Sequence, residues 1–111
     1  MKDVIHENKW PWGRTISIVV AGGAGMVDMS FDKNDCGVCY LSGLSVIPEY
    51  RRRGIAHYLM KECELYCRKN NIFRIDLNSV QESFVMDFYH KLGFKDIEER
   101  DGFMRMYKLI T

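Results

Sequence analysis

Apolar and polar residues alternate with period two in several short runs and recur with helical spacing in two longer ones, with glycine, proline and asparagine between them. Residues 15–20 begin Thr-Ile-Ser-Ile and are rich in β-branched side chains, which predicts a strand. Ala21-Gly22-Gly23-Ala24-Gly25 follows, and glycines at that density predict a tight hairpin into a returning strand over residues 26–31. The polar run 32–37 makes the next turn. Residues 38–47 read as a strand interrupted by Gly43, and glycine inside a strand marks a bulge or a close approach. Val4 and Ile5 read as a short first strand.

The period then changes. Pro48 biases Ile47 to an extended conformation and stops the strand. Ile55, Leu59, Cys63 and Tyr66 or Cys67 recur at helical spacing, which predicts a helix over 54–69. Arg68 and Lys69 suit its C-terminal dipole, and Asn70-Asn71 supplies a stop. Residues 72–77 read as a strand, with Asn78 and Ser79 at or past its end. Strand, helix, strand in that order implies a right-handed parallel crossover. Ser83 or Ser79 is the expected cap of a second helix, with Phe84, Phe88 and Leu92 on its inner face and Gly93 at its end. Strands over 94–99 and 103–109 flank Arg100-Asp101-Gly102, a hairpin signal. The fold class is α+β (α/β sandwich-like): a single domain over 1–111, with a mixed, mainly antiparallel sheet and two helices.

Composition narrows the function classes. Of 111 residues, 47% are hydrophobic and 28% charged, ordinary for a globular domain. A formal net charge of +1 gives no general case for nucleic acid, and no apolar run is long enough to span a bilayer. No signal-peptide pattern opens the chain, so a cytoplasmic location is expected. Cys36-x-x-Cys39 resembles half a zinc site, and Cys63 and Cys67 stand one helical turn apart. Cys36 and Cys39 run into a strand and the other two lie on an apolar helix face, so all four read as free thiols and no metal is expected. Trp10 and Trp12 either cover an edge of the core or line an acceptor pocket.

The positive charge is local. Arg51, Arg52 and Arg53 stand at the start of the first helix, where cations are mildly unfavourable. An anion held there by free backbone N–H groups and flanking guanidinium groups removes the conflict, which points to a phosphate or pyrophosphate cradle. Gly54 leaves its amide open to close approach.

Arg51-Arg52-Arg53-Gly54-Ile55-Ala56 resembles the R/Q-x-x-G-x-G/A signature of the GNAT superfamily of acyl-CoA-dependent N-acetyltransferases, and Leu44-Ser45-Val46-Ile47-Pro48-Glu49-Tyr50 looks like the strand that leads into it. Phe88-Tyr89-His90-Lys91-Leu92-Gly93-Phe94 is similar to the family's Y-x-x-x-G-F helix end. The resemblance covers roughly residues 15–110. It implies an acyl-CoA N-acyltransferase-like fold lacking the usual N-terminal helices, and transfer of an acetyl group from acetyl-CoA to a primary amine by direct attack. It assigns Arg51, Arg52, Arg53, Gly54, Ile55, Ala56 and His57 to the pyrophosphate, and Leu44, Ser45 and Val46 to the pantetheine arm beside a strand bulge. A backbone N–H near Val46 would polarise the carbonyl, and Tyr89 would protonate the leaving thiolate.

The general base stays open. Asn78 occupies the place where some relatives carry Glu, Asp76 and Asp28 are candidates by charge, and His57 and His90 by pKa. Glu82 stands where the family often has Asn. Two helices usually roof the acceptor site and have no room here, so the cleft is open or a second subunit in a homodimer roofs it. The acceptor is a small molecule or a protein amine. The alternative is a non-catalytic acyl-CoA-binding or sensing module.

Overall fold

The computed structural model describes residues 3–110. Seven strands form one sheet: β1 (Val4–Trp10), β2 (Gly13–Val19), β3 (Gly25–Asp32), β4 (Val38–Val46), β5 (Arg74–Val80), β6 (Lys95–Arg100) and β7 (Phe103–Leu109), in the order β1-β2-β3-β4-β5-β7-β6. Helix α1 (Ile55–Lys69) joins β4 to β5, and α2 (Ser83–Lys91) joins β5 to β6. β4 and β5 run parallel and every other neighbouring pair is antiparallel, as the order of elements implies.

Period-two alternation decides which face is covered. Val27, Met29 and Phe31 are buried in β3, while Met26, Asp28 and Ser30 between them are only partly so. Ile18 and Ile16 stand opposite Val27 and Met29 on β2, and both are buried. Cys39 and Leu41 of β4, Ile75 and Leu77 of β5 and Met106 of β7 extend the same layer. Against it α1 lays Leu59, Met60, Cys63 and Cys67, and α2 lays Tyr89. Both helices therefore lie on one face, where Lys108 of β7 also pairs with Glu64 of α1. The other face carries Tyr40, Asn78, Val80, Phe103 and Leu109 in exposed positions, with no helix over it among the described residues. Leu59 is wholly buried between α1 and the sheet. Leu59→Ala is expected to cost about 2–5 kcal/mol, read as a lower urea midpoint at unchanged m-value.

Several boundaries differ from expectation. β1 continues to Trp10 because it pairs with β2 along its whole length, from Val4↔Val19 to Trp10↔Gly13; the polar stretch His6 to Lys9 carries no local strand signal. β5 runs to Val80, paired with Phe103, so Asn78 and Ser79 lie inside it. Glu82 stands at the N-cap of α2 with no side-chain cap bond, so neither serine caps this helix. Ser79 is buried in β5, where its hydroxyl donates to the Val80 carbonyl at 2.8 Å. Phe84 is 73% exposed rather than inward. The apolar stripe of α2 is Val85, Phe88, Tyr89 and Leu92, and Phe84 falls one position off it. Trp10 and Trp12 are 50% and 43% exposed and are not part of the core cluster, Trp10 ending the edge strand β1 and Trp12 standing in the turn that follows it. Asp101 and Gly102 both take positive φ, 53° and 83°, and form the tight β6–β7 hairpin that their dipeptide predicts.

Candidate functional site

β4 and β5 stay paired from Val38↔Arg74 to Leu41↔Leu77, and there the pairing ends although both strands continue. On its other edge β4 remains paired with β3 out to Gly25↔Val46. One extra residue, Ser42, sits between the rungs Met29↔Leu41 and Asp28↔Gly43. The expected bulge is thus at Ser42, beside Gly43, and it bends β4 away from β5. The Ile47 N–H donates to the Ala24 carbonyl at 2.9 Å. Alternation along the strand then turns the amides of Val46 and Leu44 the other way, into the gap.

The N-terminus of α1 opens at the same end of the sheet. The Tyr58 N–H donates to the Gly54 carbonyl at 2.9 Å, so the amides of Ile55, Ala56 and His57 have no partner within the helix. No side chain caps them and no acidic residue stands in the first turn. Gly54 is the N-cap residue, at φ 78°, where a Cβ would meet nothing within 4 Å. Bare amides, the positive end of the helix dipole and three arginines make this an anion-binding arrangement. Arg51 Nε donates to the Val46 carbonyl at 3.1 Å, and the Arg53 guanidinium lies 5.1 Å from the Tyr50 ring centroid. Arg52, at φ 63°, holds a left-handed backbone that non-glycine residues seldom adopt.

A groove of about 730 Å³ links the bare helix end to the gap. Leu44, Ser45 and Val46 form its strand wall, and Arg51, Arg52, Gly54, Ile55, Ala56 and His57 its helix end. Tyr89 lies on the α2 wall. Of the expected site residues only Arg53 stands outside the lining, turned onto Tyr50. Sequence reasoning missed Tyr50, Phe84, Val85 and Phe88 as groove residues. Phe88 packs edge-on against His57, with centroids 5.0 Å apart, and this contact brings α2 up to the start of α1. The signal for Phe84 was its place one residue before the stripe, in a first turn with no partner.

Tyr89 is 8% exposed, and burial pushes its hydroxyl above the usual phenol range. It is therefore protonated at neutral pH and able to donate. The base candidates are dispersed. His90 Nε2 lies 2.7 Å from Asp96 Oδ1 and does not line the groove. Asp76 accepts from Arg74 Nε at 2.5 Å, and the Asn78 amide donates to the Tyr40 hydroxyl at 3.2 Å. Asp28 sits on the uncovered face beside the bulge. It accepts from the Ser17 hydroxyl at 2.5 Å, and its Oδ2 would lie 3.4 Å from a Cβ built on Gly43. A separate groove of about 470 Å³ includes Trp10 with Asn70 and Ile72, at the opposite end of α1. The tryptophan at that end does not line the gap.

A family model for the acetyltransferase (GNAT) domain matches residues 13–96, from β2 into β6. The chain belongs to the GNAT acetyltransferase family. No curated protein sequence matches it. Among solved structures, this GNAT domain is similar to a PaiA N-acetyltransferase from Thermoplasma acidophilum in complex with coenzyme A, at 24% identity and a TM-score of 0.73 over 86% of this chain. It spans 59% of that protein's length. Tetrahymena GCN5 matches at 19% identity and a TM-score of 0.74, over 87% of this chain and 69% of its own. Ard1 from Thermoplasma volcanium matches at 21% and 0.74, over 93% and 74%. These likenesses show that the GNAT domain has the acyltransferase fold. No described helix is long and apolar enough to cross a membrane.

Proposed function

We propose that this GNAT domain transfers an acetyl group from acetyl-CoA to a primary amine by direct attack. The observation that carries the reading is the groove running from the bare first turn of α1 into the gap between β4 and β5, with Tyr89 on its wall. The pyrophosphate lies on the amides of Ile55, Ala56 and His57, open because Gly54 has no side chain, with Arg51 and Arg52 lining the same end of the groove. The pantetheine arm takes up the missing β5 rungs against Leu44, Ser45 and Val46. The Val46 N–H donates to the thioester carbonyl and holds the oxyanion that forms as the neutral amine attacks. As the carbon–sulfur bond breaks, the Tyr89 hydroxyl gives its proton to the departing sulfur, and the amine sheds a proton to solvent or to a nearby base.

The same reading suggests how the acceptor arrives. Coenzyme fills the gap from the helix side, so the amine approaches from the uncovered face. Asp28 is the carboxylate beside the bulge there, and it has no ion-pair partner among the described residues. A cationic amine fits that surface. Asp28→Asn is expected to raise KM for such an amine by about 10-fold, from loss of a charge-assisted hydrogen bond, with CoA affinity unchanged. An unaltered KM removes Asp28 from the acceptor site.

A second reading, a non-catalytic acyl-CoA-binding or sensing module, is favoured by the engagement of His90 and Asp76 with other partners. Calorimetric titration with CoA and acetyl-CoA, then thiol release with a panel of amines, separates the two. Binding without release leaves the module; absence of binding sinks both. The uncovered face is either an open cleft or a surface roofed by a second copy. Free cysteines suit a reducing compartment, and we place the reaction in the cytoplasm.

A further inference from the structure

Four sulfur atoms meet in the core beside the C-terminal half of α1, away from the groove. Cys39 comes from β4 and Cys63 and Cys67 from α1, and their Sγ atoms all lie within 4.8 Å of one another. Met29 of β3 adds a thioether, its Sδ 3.1 Å from Cys63 Sγ. All four side chains are fully buried. Helical spacing puts Cys63 and Cys67 on one face, and strand alternation turns Cys39 and Met29 toward it. The C-x-x-C spacing misleads here, because Cys36 is exposed and outside the cluster.

We propose that Cys39, Cys63 and Cys67, assisted by Met29, form a binding site for monovalent copper. Metal–sulfur bonds of about 2.3 Å put three trigonal sulfurs about 4 Å apart, so the thiols need to close by less than about 1 Å. Thiolate and thioether donors together favour a soft, low-coordinate ion. Zinc fits less well: structural zinc takes four nitrogen or thiolate donors, and no His, Asp or Glu joins the cluster among the described residues. Copper binds as the thiolate complex, so each cysteine that coordinates it gives up its thiol proton to solvent, with no change of oxidation state at metal or sulfur. The ion would fasten β4 to α1, the two elements that also carry the coenzyme groove.

The test is anaerobic titration of the intact chain with Cu(I) against a competing chromogenic chelator. One equivalent should be retained, with near-ultraviolet sulfur-to-copper absorption and about three protons released, one for each cysteine that becomes a ligand. Cys36→Ser should retain it equally, and Cys63→Ala should weaken retention by at least about 100-fold, because even the loss of an outer-shell partner costs about 10–100-fold and this change removes a ligand itself. X-ray absorption on the copper-loaded wild type, which needs no variant, should count three or four sulfur neighbours. Loss of binding in Cys36→Ser, retention at full affinity in Cys63→Ala, or oxygen and nitrogen neighbours in place of sulfur would each overturn the proposal.

Discussion

Gly54→Val is expected to lower affinity for CoA by about 100-fold, the effect of masking one or two charge-assisted hydrogen bonds from backbone amides to a diphosphate. The branched side chain would project into the space that Gly54 leaves empty and stand over the amides of the first turn. It meets no protein atom within 4 Å, so no clash unfolds the domain. A separate cost comes from the backbone: at φ 78° a β-branched residue is strained by about 1–2 kcal/mol. Calorimetry should therefore show lost binding while thermal unfolding stays cooperative at a moderately lower midpoint. Retained affinity would mean that the diphosphate docks elsewhere, and the acetyl-transfer reading would go with it.

Tyr89→Phe is expected to lower kcat by about 100-fold, the usual scale for a positioned general acid, with CoA affinity nearly unchanged. The ring stays, so its packing against Phe88 and Phe94, with centroids at 5.2 and 5.7 Å, is preserved. Burial raises the pKa of this hydroxyl, so its acidic form persists to higher pH than in free tyrosine. Its ionisation should cause no fall in kcat below about pH 10. Steady-state thiol release across pH checks both statements. A variant turning over at the wild-type rate would end the acid role, and the sulfur would then leave by another proton source.

How much of this was legible in the sequence depends on how local each feature is. The cradle was readable because its determinants are adjacent: Pro48 ends a strand, three arginines follow, Gly54 is bare and the helical period starts at Ile55. The Asp101-Gly102 hairpin was readable for the same reason. β1 was not, since its regularity comes from pairing with β2 rather than from the residues His6 to Lys9. Phe84 misled because a nine-residue helix gives an apolar stripe only two turns in which to declare itself. Separate positions along the chain could not say that Asp28 would face Gly43, or that four sulfurs would converge, because both depend on register between strands.

The short run of rungs between β4 and β5 divides the sheet into two laminae, β1 to β4 and β5 to β7, with α1 as the brace across their seam. A molecule wedged in the unzipped end of that seam bears on both laminae at once. Under the proposed function that molecule is the coenzyme, and any change that spread or closed the two plates would also alter how tightly it is gripped.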